Sequence, residues 1–165
     1  GNDLICYLYE NLNVQTMIKR FLICVFFTLF AISCSKEPLA NTLPSTTLYI
    51  YGGRDGEVYL GKLNGSKLDS ESIWNSLGTY GSYLSTESIW NEYGTYGSEF
   101  STYSPFNEYA SNPPVLIDQN GKSYGYFTAN KYKPNRANYE LIDKICDNHK
   151  RIRKDVGKWY DKLFF

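Results

Sequence analysis

The sequence predicts a small α+β domain: two β-hairpins forming an antiparallel sheet, two and a half 16-residue aromatic repeats between them, and an amphipathic C-terminal helix. Three observations carry this expectation. Apolar runs twice flank glycine-containing turns, a Ser-Ile-Trp-Asn motif recurs at a period of 16, and apolar residues near the C-terminus fall three and four apart. The chain has 165 residues, 42% of them hydrophobic, and 17 basic side chains cancel 17 acidic ones. That length supports one domain. The apolar share excludes a disordered tail, and the charge balance argues against a strongly basic nucleic-acid-binding class.

The first element is an address. Met17 is followed by Lys19 and Arg20, by the apolar run 21–32, and by Ser33-Cys34-Ser35. A positive start, an apolar stretch of 12 residues and small closing residues fit a secretory signal peptide, whereas a membrane-spanning helix needs about 20 apolar residues. The ending Ala31-Ile32-Ser33-Cys34 resembles the lipobox of bacterial lipoproteins. That resemblance implies a signal peptide over 17–33, lipid attachment at Cys34 and a mature chain on the cell envelope, periplasmic or at the outer surface. Acyl chains at about 0.8 kcal/mol per buried methylene would hold it on a membrane. Residues 1–16 precede a plausible initiator and are set aside; residues 34–45, with Pro38 and Pro44, read as a tether. An acylated Cys34 leaves Cys146 as the only mature thiol, so packing alone must hold the domain of residues 46–165.

Leu48-Tyr49-Ile50-Tyr51 and Glu57-Val58-Tyr59-Leu60 flank a glycine-rich turn at 52–56 and read as the first hairpin. Val115-Leu116-Ile117-Asp118 and Ser123-Tyr124-Gly125-Tyr126-Phe127-Thr128 flank Asn120-Gly121, which suggests a two-residue primed turn with positive φ at both central residues. Between the hairpins, over 72–114, Ser72-Ile73-Trp74-Asn75 returns as Ser88-Ile89-Trp90-Asn91 and, decayed, as Ser104-Pro105-Phe106-Asn107. Gly78-Thr79-Tyr80-Gly81-Ser82 likewise returns as Gly94-Thr95-Tyr96-Gly97-Ser98. Each copy reads as one helical turn, capped by Ser or Thr and closed by a left-handed Gly, followed by a Tyr-Gly-Ser turn.

At the C-terminus, Tyr139, Ile142, Ile145, His149, Ile152, Val156, Trp159 and Leu163 share one helix face. Asn135 or Asn138 can cap its start. An unbroken helix over 137–164 would be roughly 42 Å long, more than the domain it covers, so a break near Asp147-Asn148 is expected, with Gly157 a second weak point.

Residues 59–132 resemble uncharacterised secreted or lipid-anchored bacterial proteins with tandem Ser-Ile-Trp-Asn and Tyr-Gly-Ser repeats. Trp74, Trp90, Tyr80, Tyr96, Pro113 and Pro114 carry the likeness. Some members of that group have a Cys-x-x-Cys pair where this chain has Lys62 and Gly65, so any thiol or metal role of that pair is absent here. The resemblance implies an envelope location and brings no catalytic residue with it.

Side-chain chemistry is therefore weighed directly. Cys146 and His149, three apart on a helix, could pair as nucleophile and base, but both lie on or beside the apolar stripe with no third member, which reads as a half-buried core pair. One His and one free Cys do not make a zinc site, and neither glycine-rich turn has the Gly-Lys-Ser/Thr ending of a phosphate loop, so no metal or cofactor is expected. Glu87, Glu92, Glu99 and Glu108 offer carboxylates for a small hydrolase, against the plainer reading of solvated loop acids. The basic cluster 149–154 reads as a solvated helix face rather than a lipid or nucleic-acid contact.

The repeat side chains remain. Trp74, Trp90, Phe106 and the tyrosines Tyr80, Tyr83, Tyr93, Tyr96, Tyr103 and Tyr109 offer flat rings, and Trp74, Trp90, Tyr80 and Tyr96, beside Asn75 and Asn91, are the leading candidates for ligand binding, either stacking on glycans or anchoring an envelope protein. The competing reading makes the tryptophans core and the tyrosines its rim; a neutral domain without disulfides needs core material, which favours it for the tryptophans. The functional expectation is a non-catalytic binding or structural module of the bacterial envelope. A glycan-binding surface lipoprotein and a small carboxylate hydrolase are its alternatives.

Overall fold

A computed structural model describes residues 43–165. The signal segment, Cys34 and nearly all of the tether lie outside the described residues. β1 (Tyr49–Gly52) and β2 (Val58–Lys62) form the first hairpin, and β3 (Val115–Ile117) and β4 (Ser123–Tyr126) the second. All pairings are antiparallel, in the order β2-β1-β3-β4, with β1 and β3 joining the hairpins. Together with two C-terminal helices this is the expected α+β class. The second hairpin turns differently from expectation. Only Gly121 has positive φ, at 78°, and the loop is Gln119-Asn120-Gly121, closed by the Asp118 N–H donating to Lys122 O at 3.0 Å. Asp118 decides this. Its carboxylate accepts from the N–H groups of both Asn120 (2.8 Å) and Lys122 (3.0 Å), fixing a three-residue loop with glycine at its left-handed end.

The repeats contain no helical turn. From Ser66 onward the chain makes three-residue steps; the fifth of each coil opens at Gly78 or Gly94, and the other four are β-turns each opened by a Ser, Asp or Asn whose side-chain oxygen accepts from the N–H two residues on. Its own carbonyl accepts from the N–H three residues on, as along Ser82, Ser85, Ser88, Asn91 and Gly94. A single Ser cap would start a helix, but a cap at every third residue captures each N–H before a helical i→i+4 bond can form. Five such steps and one additional residue make a coil of 16. The extra residue sits where the Ser82 N–H reaches back four residues to Gly78 O, and the Ser98 N–H to Gly94 O. There Gly81 and Gly97 press against the carbonyls of Asn75 and Asn91, leaving no room for a Cβ. Gly78 and Gly94 are not left-handed, contrary to expectation.

The coils stack through their third step. Trp74 and Trp90 lie 5.7 Å apart by ring centroid and Trp90 and Phe106 5.9 Å, the latter pair stacked. Each indole N–H donates to a carbonyl of the preceding layer, Trp74 to Leu63 O (2.7 Å) and Trp90 to Ile73 O (2.6 Å). The coil stack follows the sheet: Tyr80 packs on Gly61 of β2, and Tyr96 on Gly52 of the neighbouring β1. Leu48, Ile50, Leu60 and Leu116 from the sheet meet Ile73, Trp74, Ile89, Trp90 and Phe106 from the coils in one core.

The helices close that core. α1 (Glu140–Ile152) buries Leu141, Ile142, Ile145, Cys146 and Ile152, and α2 (Val156–Phe164) buries Val156 and Leu163. The break falls later than expected, at 153–155. Asn148 stays within α1, its amide donating to Lys144 O at 2.9 Å, whereas Asp155 caps α2 by accepting from the Lys158 N–H at 3.0 Å. Neither Asn135 nor Asn138 caps α1; Tyr139 holds the capping position with extended backbone and no side-chain bond, and Asn135 adopts φ 57°. Among the described residues no helix is long and apolar enough to cross a membrane.

Candidate functional site

The ladder geometry settles where the repeat side chains point. Trp74 and Trp90 have no exposed surface and spend their indole N–H groups inside, so neither offers a ring face to a ligand. This corrects their candidacy as a stacking platform. Tyr80 and Tyr96 are half-buried against glycines of the sheet, and burial raises both phenol pKa values above the usual range. Asn75 and Asn91 are staples. Their amides donate to Asp69 O (3.2 Å) and Ser85 O (3.1 Å), and their carbonyls accept from the N–H groups of Leu77 and Tyr93, so both ends of each side chain hold the coil. Asn107 repeats the arrangement in the third coil.

Cys146 and His149 do not form a nucleophile and base. The thiol is buried and its pKa is pushed up to about 12 by desolvation. The imidazole Nδ1 meets the Cys146 carbonyl, not its sulfur, at 2.7 Å, and Nε2 lies 2.5 Å from Glu99 Oε1. The ring itself stacks on Phe106 at 4.5 Å. Among the described residues no group of three or more His, Cys, Asp or Glu side chains is placed to hold a metal ion.

What the coils expose is the second residue after each cap in their first and fourth steps. Leu68, Leu84 and Phe100 form one row at 16-residue spacing, and Leu77, Tyr93 and Tyr109 another, with exposures from 73% to 96%. A cleft of about 1260 Å³ opens where these rows meet the end of α1. Tyr83, Leu84 and Phe100 line it together with Tyr93, and Trp90 is buried beneath.

Apart from Asn91 and Ser98, its remaining lining is charged. The coils carry one lysine, Lys67, against six carboxylates over residues 66–110, while the C-terminal segment from Lys131 carries ten cations against five carboxylates. The two halves are stitched across this asymmetry. Arg153 donates to Glu92 Oε2 (2.9 Å) and to Gly97 O (3.3 Å), Lys150 reaches Glu99 at 2.9 Å, and Lys67 meets Asp161 at 2.6 Å. The Lys150 ammonium, offset in part by desolvation and aided by His149, holds the Glu99 carboxyl below its ordinary value. Three of the five basic residues in the cluster, His149, Lys150 and Arg153, are therefore inter-element glue rather than a solvated face, and the Arg153 side chain is 11% exposed.

The chain matches no protein-family model, no curated protein and no solved structure. The site thus stands on its geometry. Tyr83 and Tyr93 were among the candidate rings, and sequence reasoning missed Leu84 and Phe100, although the signal was present: Ser, Asp or Asn marks four of the five turn starts in a coil, and the residue two further on is buried or exposed according to its step.

Proposed function

We propose that this chain is a non-catalytic binding module of the bacterial cell envelope, tethered through a lipid on Cys34 and taking an extended ligand in the cleft beside Tyr93 and Phe100. One observation carries the reading. Leu84, Tyr93 and Phe100, at 73%, 90% and 91% exposure, surround a cleft whose polar rim is already organised by ion pairs. Exposed apolar groups gathered at one concavity mark an interaction site, whereas scattered ones need no explanation. Cys146 is buried, and His149, Glu92 and Glu99 are committed to internal bonds, which supports binding over turnover. The lipobox-like Ala31-Ile32-Ser33-Cys34 supports the tether.

Sedimentation of the purified chain with isolated bacterial cell walls and with insoluble polysaccharides tests the cleft. The native chain is expected in the pellet and the Tyr93→Ser/Phe100→Ser variant in the supernatant; equal partition of the two sinks the reading. For the tether, labelled palmitate should enter the native chain in bacteria and be absent from Cys34→Ser, and labelling of both would remove Cys34 as the attachment point.

A further inference from the structure

Resting on the binding reading above, we infer that the ligand of this cleft is an acidic glycan, with carboxylates spaced sparsely along a neutral chain. Lys150, Arg153 and Lys154 face only Glu92 and Glu99 in the cleft, so positive charge is left over. Lys154 has no ion pair among the described residues. Arg153 has both terminal nitrogens engaged, by Glu92 and Gly97, yet its Nε–H is buried without an acceptor. The exposed Lys154 ammonium is therefore the cation free to meet a ligand carboxylate, with a charge-assisted bond, while Arg153 adds positive charge behind it.

The rest of the cleft suits sugar rings. Tyr83, Tyr93 and Phe100 offer faces at 61–91% exposure, on which the C–H faces of a pyranose can stack. Successive coils step by 5.7 and 5.9 Å at their core, and Leu84 and Phe100 occupy equivalent places in two of them, so this bank of the cleft is periodic, as a linear polymer is. A densely charged polyanion fits poorly because Glu87, Glu92 and Glu108 stand on the same coils. A hydrocarbon chain fits poorly too, since it would strip water from the Glu92–Arg153 and Glu99–Lys150 pairs.

The test titrates hyaluronate, deacylated gellan and glucuronoxylan, each beside its carboxyl-reduced form, into the whole chain held in detergent. At least one acidic polymer should bind about tenfold more tightly than its reduced form, the strength of one charge-assisted contact. Added salt should narrow that gap. Lys154→Gln should abolish it, and Phe100→Ser should weaken both forms. Both side chains are exposed, so folding is not at stake. Equal affinity for acidic and reduced forms overturns the acidic class while leaving the cleft a glycan site. Binding indifferent to both substitutions overturns the cleft itself, and no binding by any of the three acids overturns the inference.

Discussion

The second and third coils occupy equivalent places in the stack but are held by different means. In the second, Trp90 supplies both a ring and a donor, its N–H bonding to Ile73 O, and the Ser88 hydroxyl donates to Tyr80 O at 2.9 Å. In the third, Phe106 has the ring and no donor, and Pro105 and Pro113 replace Ile89 and Gly97. Neighbouring elements supply what is missing. The Ala129 N–H donates to Pro105 O and the Phe127 N–H to Pro114 O, both at 2.7 Å, while His149 stacks on Phe106 and bonds to Glu99. An internal coil is bonded to the layer beneath it; a terminal coil is capped by the rest of the fold. Decay of the third copy is what lets the chain leave the stack and enter β3.

The largest break of this comparison is Trp90→Ala, which removes the ring shared by both neighbours in the ladder. It should cost about 3–5 kcal/mol in urea unfolding. Trp90→Phe makes the second coil chemically like the third without its external support. Ile73 O then loses its donor, and a loss of about 1–3 kcal/mol is expected; a cost under about 0.5 kcal/mol would mean that the indole bond does not hold the coils.

The smallest effect concerns acid. Glu99 titrates below its ordinary value of 4.5 in the folded chain, so its contribution is complete above that value and is lost as pH falls through the lowered one. Comparing the native chain with Glu99→Gln from pH 7 downward, the stability gap should be full at neutral pH and shrink steadily once the pH drops below 4.5. A gap that does not change with pH would assign the effect to packing rather than to the carboxylate.

Much of the frame was legible in the sequence. Both hairpins announce themselves because β-branched and aromatic runs stop at glycine turns, and the period of 16 is plain from Trp74 and Trp90. The local structure inside the period was misread for a physical reason. Ser88 and Asn91 are good helix caps, and only the recurrence of such residues at Ser82 and Ser85 shows that capping never stops long enough for a helix to grow. Helix length calls for a break, expected near Asp147-Asn148, but length does not say where it falls: Asp155 can reach a free N–H and Asn148 is satisfied where it stands. The cleft was hidden for a related cause. Bulk drew attention to Trp74 and Trp90, whereas exposure depends on which step of a coil a residue occupies, and that is not visible until the three-residue step is known.

The seating of Tyr80 on Gly61 and of Tyr96 on Gly52 bears on how such a protein can lengthen. The first two coils each have their own strand, and their tyrosines fill the gaps left by missing side chains on those strands. A tandem duplication of 16 residues would add a coil with a tyrosine and no glycine opposite it. The sheet is therefore a ruler for copy number, and a longer relative of this fold is expected to gain strands and coils together.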